Sequence, residues 1–251
     1  EEFRKEQDGY LWQSFEPICA SASHAAIVHY SATKDSNVPV TENGLFLTDT
    51  GGGYLEGSTD ITRTFAFGNV PQNMKEDFTS VLLCNLHLAN AVFPYGTTGG
   101  SLDVIGRLPL WKRGLDFNHG TGHGVGYLMN IHEEPARFRR YLGNKAPIQD
   151  IALEPGMIIT DEPGVYIAGS HGIRTENELM ICEGETTAYG RFLYFKPITL
   201  VPIDLDAVVP EIMTDEDKEL LNAYHKRVYE TLAPHMKEDE RKWLAEYTRA
   251  I

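Results

Sequence analysis

The sequence predicts an α+β protein, with mostly antiparallel strands and helices grouped on one side. Three observations lead there. Segments such as "GLFLTDTG" and "DITRTFAFG" carry apolar, β-branched and aromatic residues between glycine and proline breaks, as strands do. Apolar residues at helical spacing are concentrated at residues 71–114 and 215–249. The order along the chain is a hairpin, two helices, further strands and two closing helices, a segregated arrangement and not a βαβ alternation.

Each element follows from its own residues. The opening "EEFRKEQDGY" is charged and helix-like. "SFEPICASASHAAIVHY", residues 14–30, mixes small and apolar residues without a helical period, which suits a buried strand, a turn and a second strand. Residues 31–43 form a polar loop, and residues 44–51 and 60–68 form the two strands of a hairpin across a glycine-rich connection. A helix starts near Pro71 and stops at Pro94 and Gly96. A second helix takes Ser101 as its N-cap and runs to Gly114, kinked by Pro109. Strands return in "GMIITDEPGVYI", "GIRTENELMICEG" and "FLYFKPITLVPI". Helices close the chain at about 215–233 and 237–249, the last amphipathic, with Trp243 and Leu244 expected to dock inward.

Composition narrows the function classes. A chain of 251 residues with 42% hydrophobic content can bury a sizeable core, as one large domain or two small ones. The net charge of −14 comes without any basic block, so a nucleic-acid footprint is missing. No apolar run approaches the roughly 20 residues of a spanning helix, and the first residues lack a signal-peptide pattern. Cys19, Cys84 and Cys182 are odd in number, far apart and outside any CxxC pattern, which favours buried free thiols in a reducing, cytoplasmic setting.

The chemistry sits where strand or turn backbone should be buried. Asp49 and Asp60 lie in the hairpin "LTDTGGGYLEGSTDITRTF". "NHGTGHGVGYLMNIHEEP", "TDEPGVY" and "GIRTENEL" add His119, His123, His132, Glu162, Arg174 and Glu176. Buried carboxylates without compensation are very costly, so a metal centre is the simplest explanation. Four carboxylates with one imidazole form a hard set that suits Mn, Co, Fe or Zn, and their charge would be offset by two divalent ions.

Each residue by itself has a plainer reading. Asp49 could cap the glycine loop, Asp60 could end an exposed strand, and Glu162 in "DEPG" could be a turn acid. His123 amid glycines could be a loop histidine, and Arg174 and Glu176, at i and i+2, could pair on a solvated strand face. His24, His87, His171, His225 and His235 read as packing or surface residues, with His171 in a hairpin turn, and Tyr54 reads as aromatic packing.

The joint order is more specific: Asp49, eleven residues on Asp60, then a glycine-flanked His123, Glu162 before Pro-Gly, and Glu176 in "RTEN". Over about residues 1–234 it resembles the metallopeptidases of the pita-bread (creatinase/aminopeptidase) fold, a mostly antiparallel curved sheet covered by helices. "HGTGHGVGYLMNIHEEP", "HGIRTENEL" and "FLYFKPITLVPID" are most similar to the longer, multidomain Xaa-Pro aminopeptidases. The resemblance implies that Asp49 binds one metal, that Asp60 and Glu176 bridge two, and that His123 and Glu162 complete the second. It implies two divalent ions, manganese first, with cobalt, zinc or iron as alternatives.

The resemblance also implies roles around the metals. Glu162 would orient the attacking water and relay its proton, His132 and His29 would support the oxyanion, and His119 would line the pocket for the second residue. Arg174 would hold the bridging carboxylates. The implied substrates are peptides with proline second, in a homodimeric enzyme. Residues 1–251 would be the catalytic domain without its first helices and N-terminal domain or domains, with 204–251 as a C-terminal helical extension. A prolidase acting on Xaa-Pro dipeptides and a non-catalytic binding module of the same fold are the alternatives.

Overall fold

The computed structural model describes residues 1–140 and 150–251. The strand Gly44–Thr50 is the centre of a three-stranded sheet, flanked by Ile18–Ser21 and Ile61–Phe67. Its period-two pattern buries Leu45, Leu47 and Asp49 on one face. Asp49 therefore continues a row of core leucines. A larger, six-stranded sheet runs in the order Val92–Pro94, Gly190–Pro197, Asn177–Thr187, Ile158–Asp161, Gly122–Val125 and His132–Phe138. Two small ribbons, Tyr10–Gln13 with Gly52–Tyr54 and Gly164–Ile167 with His171–Arg174, complete the strands. Every described strand pair is antiparallel, as the sequence predicts.

The helix Gln72–Ala89 packs into two cores. Phe78, Val81, Leu82 and Leu86 join Val165, Ile173, Leu221, Val228 and Leu244, while Leu88 and Ala89 join Phe138, Ile159, Leu179 and Leu193 under the large sheet. The helix Asp215–Leu232 starts in a capping box, with Thr214 Oγ1 accepting from Asp217 N and Asp217 Oδ2 accepting from Thr214 N. His87 Nε2 meets Asp217 Oδ1 at 2.6 Å, which ties the two long helices together. No helix among the described residues is long and apolar enough to cross a membrane.

Several local expectations are corrected. Residues after Ser21 form the 3-10 turn Ala22–Ala26 and not a second strand. Gly172 of the His171–Arg174 strand lies directly on the Ala25 carbonyl, so the run of small residues serves a close backbone approach. The long helix ends at Ala89, because residues 92–94 are taken up as an edge strand by Phe192–Tyr194. The expected helix at 101–114 is two short pieces, Gly99–Leu102 capped by Thr98, and Leu108–Trp111 with Pro109 in its first turn, where a missing N–H costs nothing. The last helix, Glu238–Tyr247, buries Leu244, whereas Trp243 is 53% exposed and meets the Tyr247 ring at a tilt. His171 begins a buried strand and bonds Asp77, and His225 is buried and accepts from Ile203 N. All three cysteines are free, but only Cys84 is buried and Cys19 is exposed.

Candidate metal centre

Five strand ends bring the chemistry together. Asp49 comes from the buried face of Gly44–Thr50, and Asp60 directly precedes Ile61–Phe67. His123 is in Gly122–Val125, Glu162 follows Ile158–Asp161, and Glu176 directly precedes Asn177–Thr187. The glycine beside His123 is required, since a Cβ on Gly122 would run into the Thr160 carbonyl of the neighbouring strand.

Ligand atoms of Asp60, His123 and Glu176 lie within 4.8 Å of one another. His123 Nε2 is 3.3 Å from Glu162 Oε1 and 3.6 Å from Asp60 Oδ2. Its Nδ1 donates to the Gly124 carbonyl at 2.9 Å, so in the neutral ring Nε2 presents a lone pair to those carboxylates. Asp49 stands beside this group, gripped by Arg174 Nη2 at 2.6 Å.

Arg174 does not pair with Glu176. Its Nε donates to Thr62 Oγ1 at 3.1 Å, and that hydroxyl donates to Glu176 Oε2 at 2.8 Å. Its Nη1 donates to Tyr166 OH at 2.8 Å, and Tyr166 in turn bonds His119 Nε2 at 2.9 Å. His119 Nδ1 is held by the Gly120 carbonyl at 2.7 Å, which leaves Nε2 to accept from the phenol. Asp49, Asp60, His123, Glu162, Arg174 and Glu176 open on one cavity of about 510 Å³, whose walls also include His29, His119 and His132. The His132 ring centroid lies 4.1 Å from that of His123.

Thr62, Tyr166 and Glu178 were not singled out by the sequence reading. Glu178 Oε1 accepts from Asp60 N at 2.8 Å. Its i+2 spacing from Glu176, and that of Thr62 from Asp60, was the available signal. Tyr166 carried none, because its role depends on two partners from other segments.

The sequence pattern of metallopeptidase family M24 matches residues 1–183, and that of the C-terminal region of peptidase M24 matches residues 191–251. The chain belongs to metallopeptidase family M24. Among M24 relatives, a protein of Talaromyces marneffei named probable Xaa-Pro aminopeptidase P is 38% identical over the whole chain. This chain spans 38% of that protein's length, and 41% of the similarly named protein of Paracoccidioides brasiliensis. The X-prolyl aminopeptidase of Caenorhabditis elegans, described as a cytosolic enzyme with a di-nuclear active site, superposes with a TM-score of 0.90 at 39% identity, covering all of this chain and 40% of that one. Prolidase from Pyrococcus furiosus superposes with a TM-score of 0.63 at 31% identity, over 77% of this chain and 51% of that one. The pita-bread fold expected from the sequence is the fold of this chain.

The residues present fit the divalent ions that M24 membership implies. Among the described residues, Asp49 Oδ1 and Glu176 Oε1 are buried without a hydrogen-bond partner, as metal-ligand oxygens would be in the absence of ions. Burial, followed by the charges of Asp49, Glu162 and Glu178, pushes the Asp60 carboxyl up to about 9. Burial pushes Glu162 up to about 7 against the opposing charge of Arg174. It also drives Glu176 well above the carboxylate range, helped by Asp60, Glu162 and Asp49. Such a cluster is electrostatically frustrated alone and suited to cations. Burial lowers His123 and brings His119 down to about 4, so both imidazoles stay neutral, as a ligand and a hydrogen-bond acceptor need to be.

Proposed function

We propose that this chain is the catalytic part of a dinuclear metal-dependent aminopeptidase that removes the first residue from peptides with proline at the second position. The observation that carries this reading is the convergence of Asp60, His123 and Glu176, with Asp49 and Glu162 beside them, on a cavity large enough for a short peptide. Asp49, Asp60, His123, Glu162 and Glu176 are the proposed ligands. The oxygen-rich donor set supports manganese, with cobalt, zinc and iron as alternatives. When bound, such ions would supply Lewis acidity toward the scissile carbonyl and lower the pKa of water.

The chain's own residues do the rest. Glu162, on the cavity wall, orients the attacking water, takes its proton and passes it to the departing proline nitrogen, which has no hydrogen of its own. As the carbonyl carbon becomes tetrahedral, His132 and His29 support its oxyanion from the cavity wall. His119 lines the pocket for the second residue, with its tautomer set by Gly120 and Tyr166. Arg174 holds Asp49 in orientation through a charge-assisted hydrogen bond. A cytoplasmic homodimer completes the proposal, its cytoplasmic setting supported by the unpaired cysteines and by the cytosolic description of the nematode enzyme.

A panel of Gly-Pro, Arg-Pro-Pro, Met-Ala-Ser and an N-acetylated Xaa-Pro tripeptide tests the reading with the full-length, metal-loaded protein. Release of the first residue from Arg-Pro-Pro alone is the expected result. Cleavage of the dipeptide alone would move the assignment to a prolidase, which the Pyrococcus likeness keeps as the second reading. Cleavage of none would favour a binding module.

A further inference from the structure

Behind the cavity lies a buried cation that forms no ion pair among the described residues. It is Arg63, on the strand Ile61–Phe67, and it is 4% exposed. Burying a guanidinium without a counter-ion is costly, so its placement calls for a reason. Its hydrogen bonds supply one. Nη1 donates to the main-chain carbonyls of Thr62, two residues after Asp60, and of Glu176 itself. Nε donates to the Pro202 carbonyl at 3.1 Å, and Nη2 donates to Asn177 Oδ1, the Val201 carbonyl and Tyr224 OH at 2.8, 2.8 and 2.9 Å.

Tyr224, on the helix Asp215–Leu232, lies with its hydroxyl 2.8 Å from the Val201 carbonyl and 3.2 Å from Thr199 O and Asn177 Oδ1. Glu178 makes a parallel link, since its side chain accepts from Asp60 N while its own N–H donates to Thr199 Oγ1 at 2.8 Å. The backbones that carry Asp60 and Glu176 are thus held from behind by residues 199–202 and by Tyr224. All of these belong to the region that matches the C-terminal part of peptidase M24.

We infer that this C-terminal region is a positioning frame for the metal centre, acting through Arg63 and Tyr224 as positioning residues. Its contribution is to metal affinity and coordination geometry, beyond its share in the hydrophobic core. The inference rests on the metal-centre reading above and adds what sets the spacing of Asp60 and Glu176. Groups one shell behind metal ligands tune affinity because they fix the orientation of the ligand oxygens.

Titration of the intact chain with Co²⁺, followed by its visible absorption spectrum and by calorimetry, tests this. Tyr224→Phe and Arg63→Lys are expected to weaken Co²⁺ binding by about tenfold or more and to alter the spectrum. Val228→Ala, a core truncation in the same helix, is expected to lower the thermal midpoint while leaving affinity and spectrum unchanged. Wild-type affinity and spectrum in both Tyr224→Phe and Arg63→Lys would overturn the inference, as would an equal loss of affinity in Val228→Ala. If the wild-type chain itself took up no Co²⁺, the metal-centre reading would fail first, and the frame with it.

Discussion

Arg174 Nη2 donates to Asp49 Oδ2 at 2.6 Å, and the two side chains are 2% and 11% exposed. The same guanidinium reaches Thr62 and Tyr166, so one residue orients a carboxylate and, through intermediates, Glu176 and His119. Arg174→Ala would leave the Asp49 charge buried and unpaired, at a cost of about 3–5 kcal/mol in stability. Arg174→Lys keeps the charge but not the planar fork, and is expected to stay folded while losing about 10²-fold in kcat/KM. Thermal unfolding of the first and kinetics of the second check both outcomes.

Asp60→Asn should separate metal binding from folding. With its carboxyl raised to about 9, wild-type Asp60 must take up a proton to fold at pH 8, a cost that a neutral Asn does not carry, so the thermal midpoint of the variant apoprotein is expected to rise. The stabilisation that divalent ions give the wild type should disappear with it. Full metal content by elemental analysis in this variant would remove Asp60 from the ligand set.

The metal-free protein should lose stability as pH rises. Asp60 is raised to about 9, and Glu162 and Glu178 to about 7, so the folded state keeps protons that the unfolded chain has already released. That stabilisation is complete at low pH and is lost as pH climbs through 7 and 9. His119 and His225, lowered from 6.5 to about 4, act in the opposite sense, but only between those two values. From pH 6.5 to 9 the thermal midpoint of chelator-treated protein is therefore expected to fall. Added Mn²⁺ should reverse the slope, because the ions bind the deprotonated carboxylates.

His132 and His29 line the cavity without contacting the carboxylate group in the way His123 does. His132→Ala and His29→Ala are expected to retain their metals and to turn over more slowly by about 10² or more. Metal loss in both variants, read by elemental analysis, would place them among the ligands instead.

Strong local signals were legible in the sequence. The alternation of Gly44–Thr50 and the helical periods of Gln72–Ala89 and Asp215–Leu232 each act over a few positions and survive in the fold. Asp49, Asp60, His123, Glu162 and Glu176 belong to a wider set of ionisable groups in core-like segments, whose conflict with burial is visible without coordinates, and their joint order and its resemblance to a known family singled them out as candidate ligands. Weaker segments were decided elsewhere. Residues 92–94 continue a helical pattern but pair with a strand a hundred positions later, and Ala22–Ala26 turns because another backbone lies against it.

By itself the sequence determined which residues are costly to bury and where the strongly periodic helices and strands lie, since both depend on side-chain chemistry and short-range pattern. Only the tertiary structure decided the partners. Arg174 is two positions from Glu176 yet bonds Asp49, 125 positions away, and Tyr224 reaches Arg63 across 161 positions. A charged group in low dielectric takes whichever counter-charge or dipole the packing brings within about 3 Å, and sequence distance has no part in that energy.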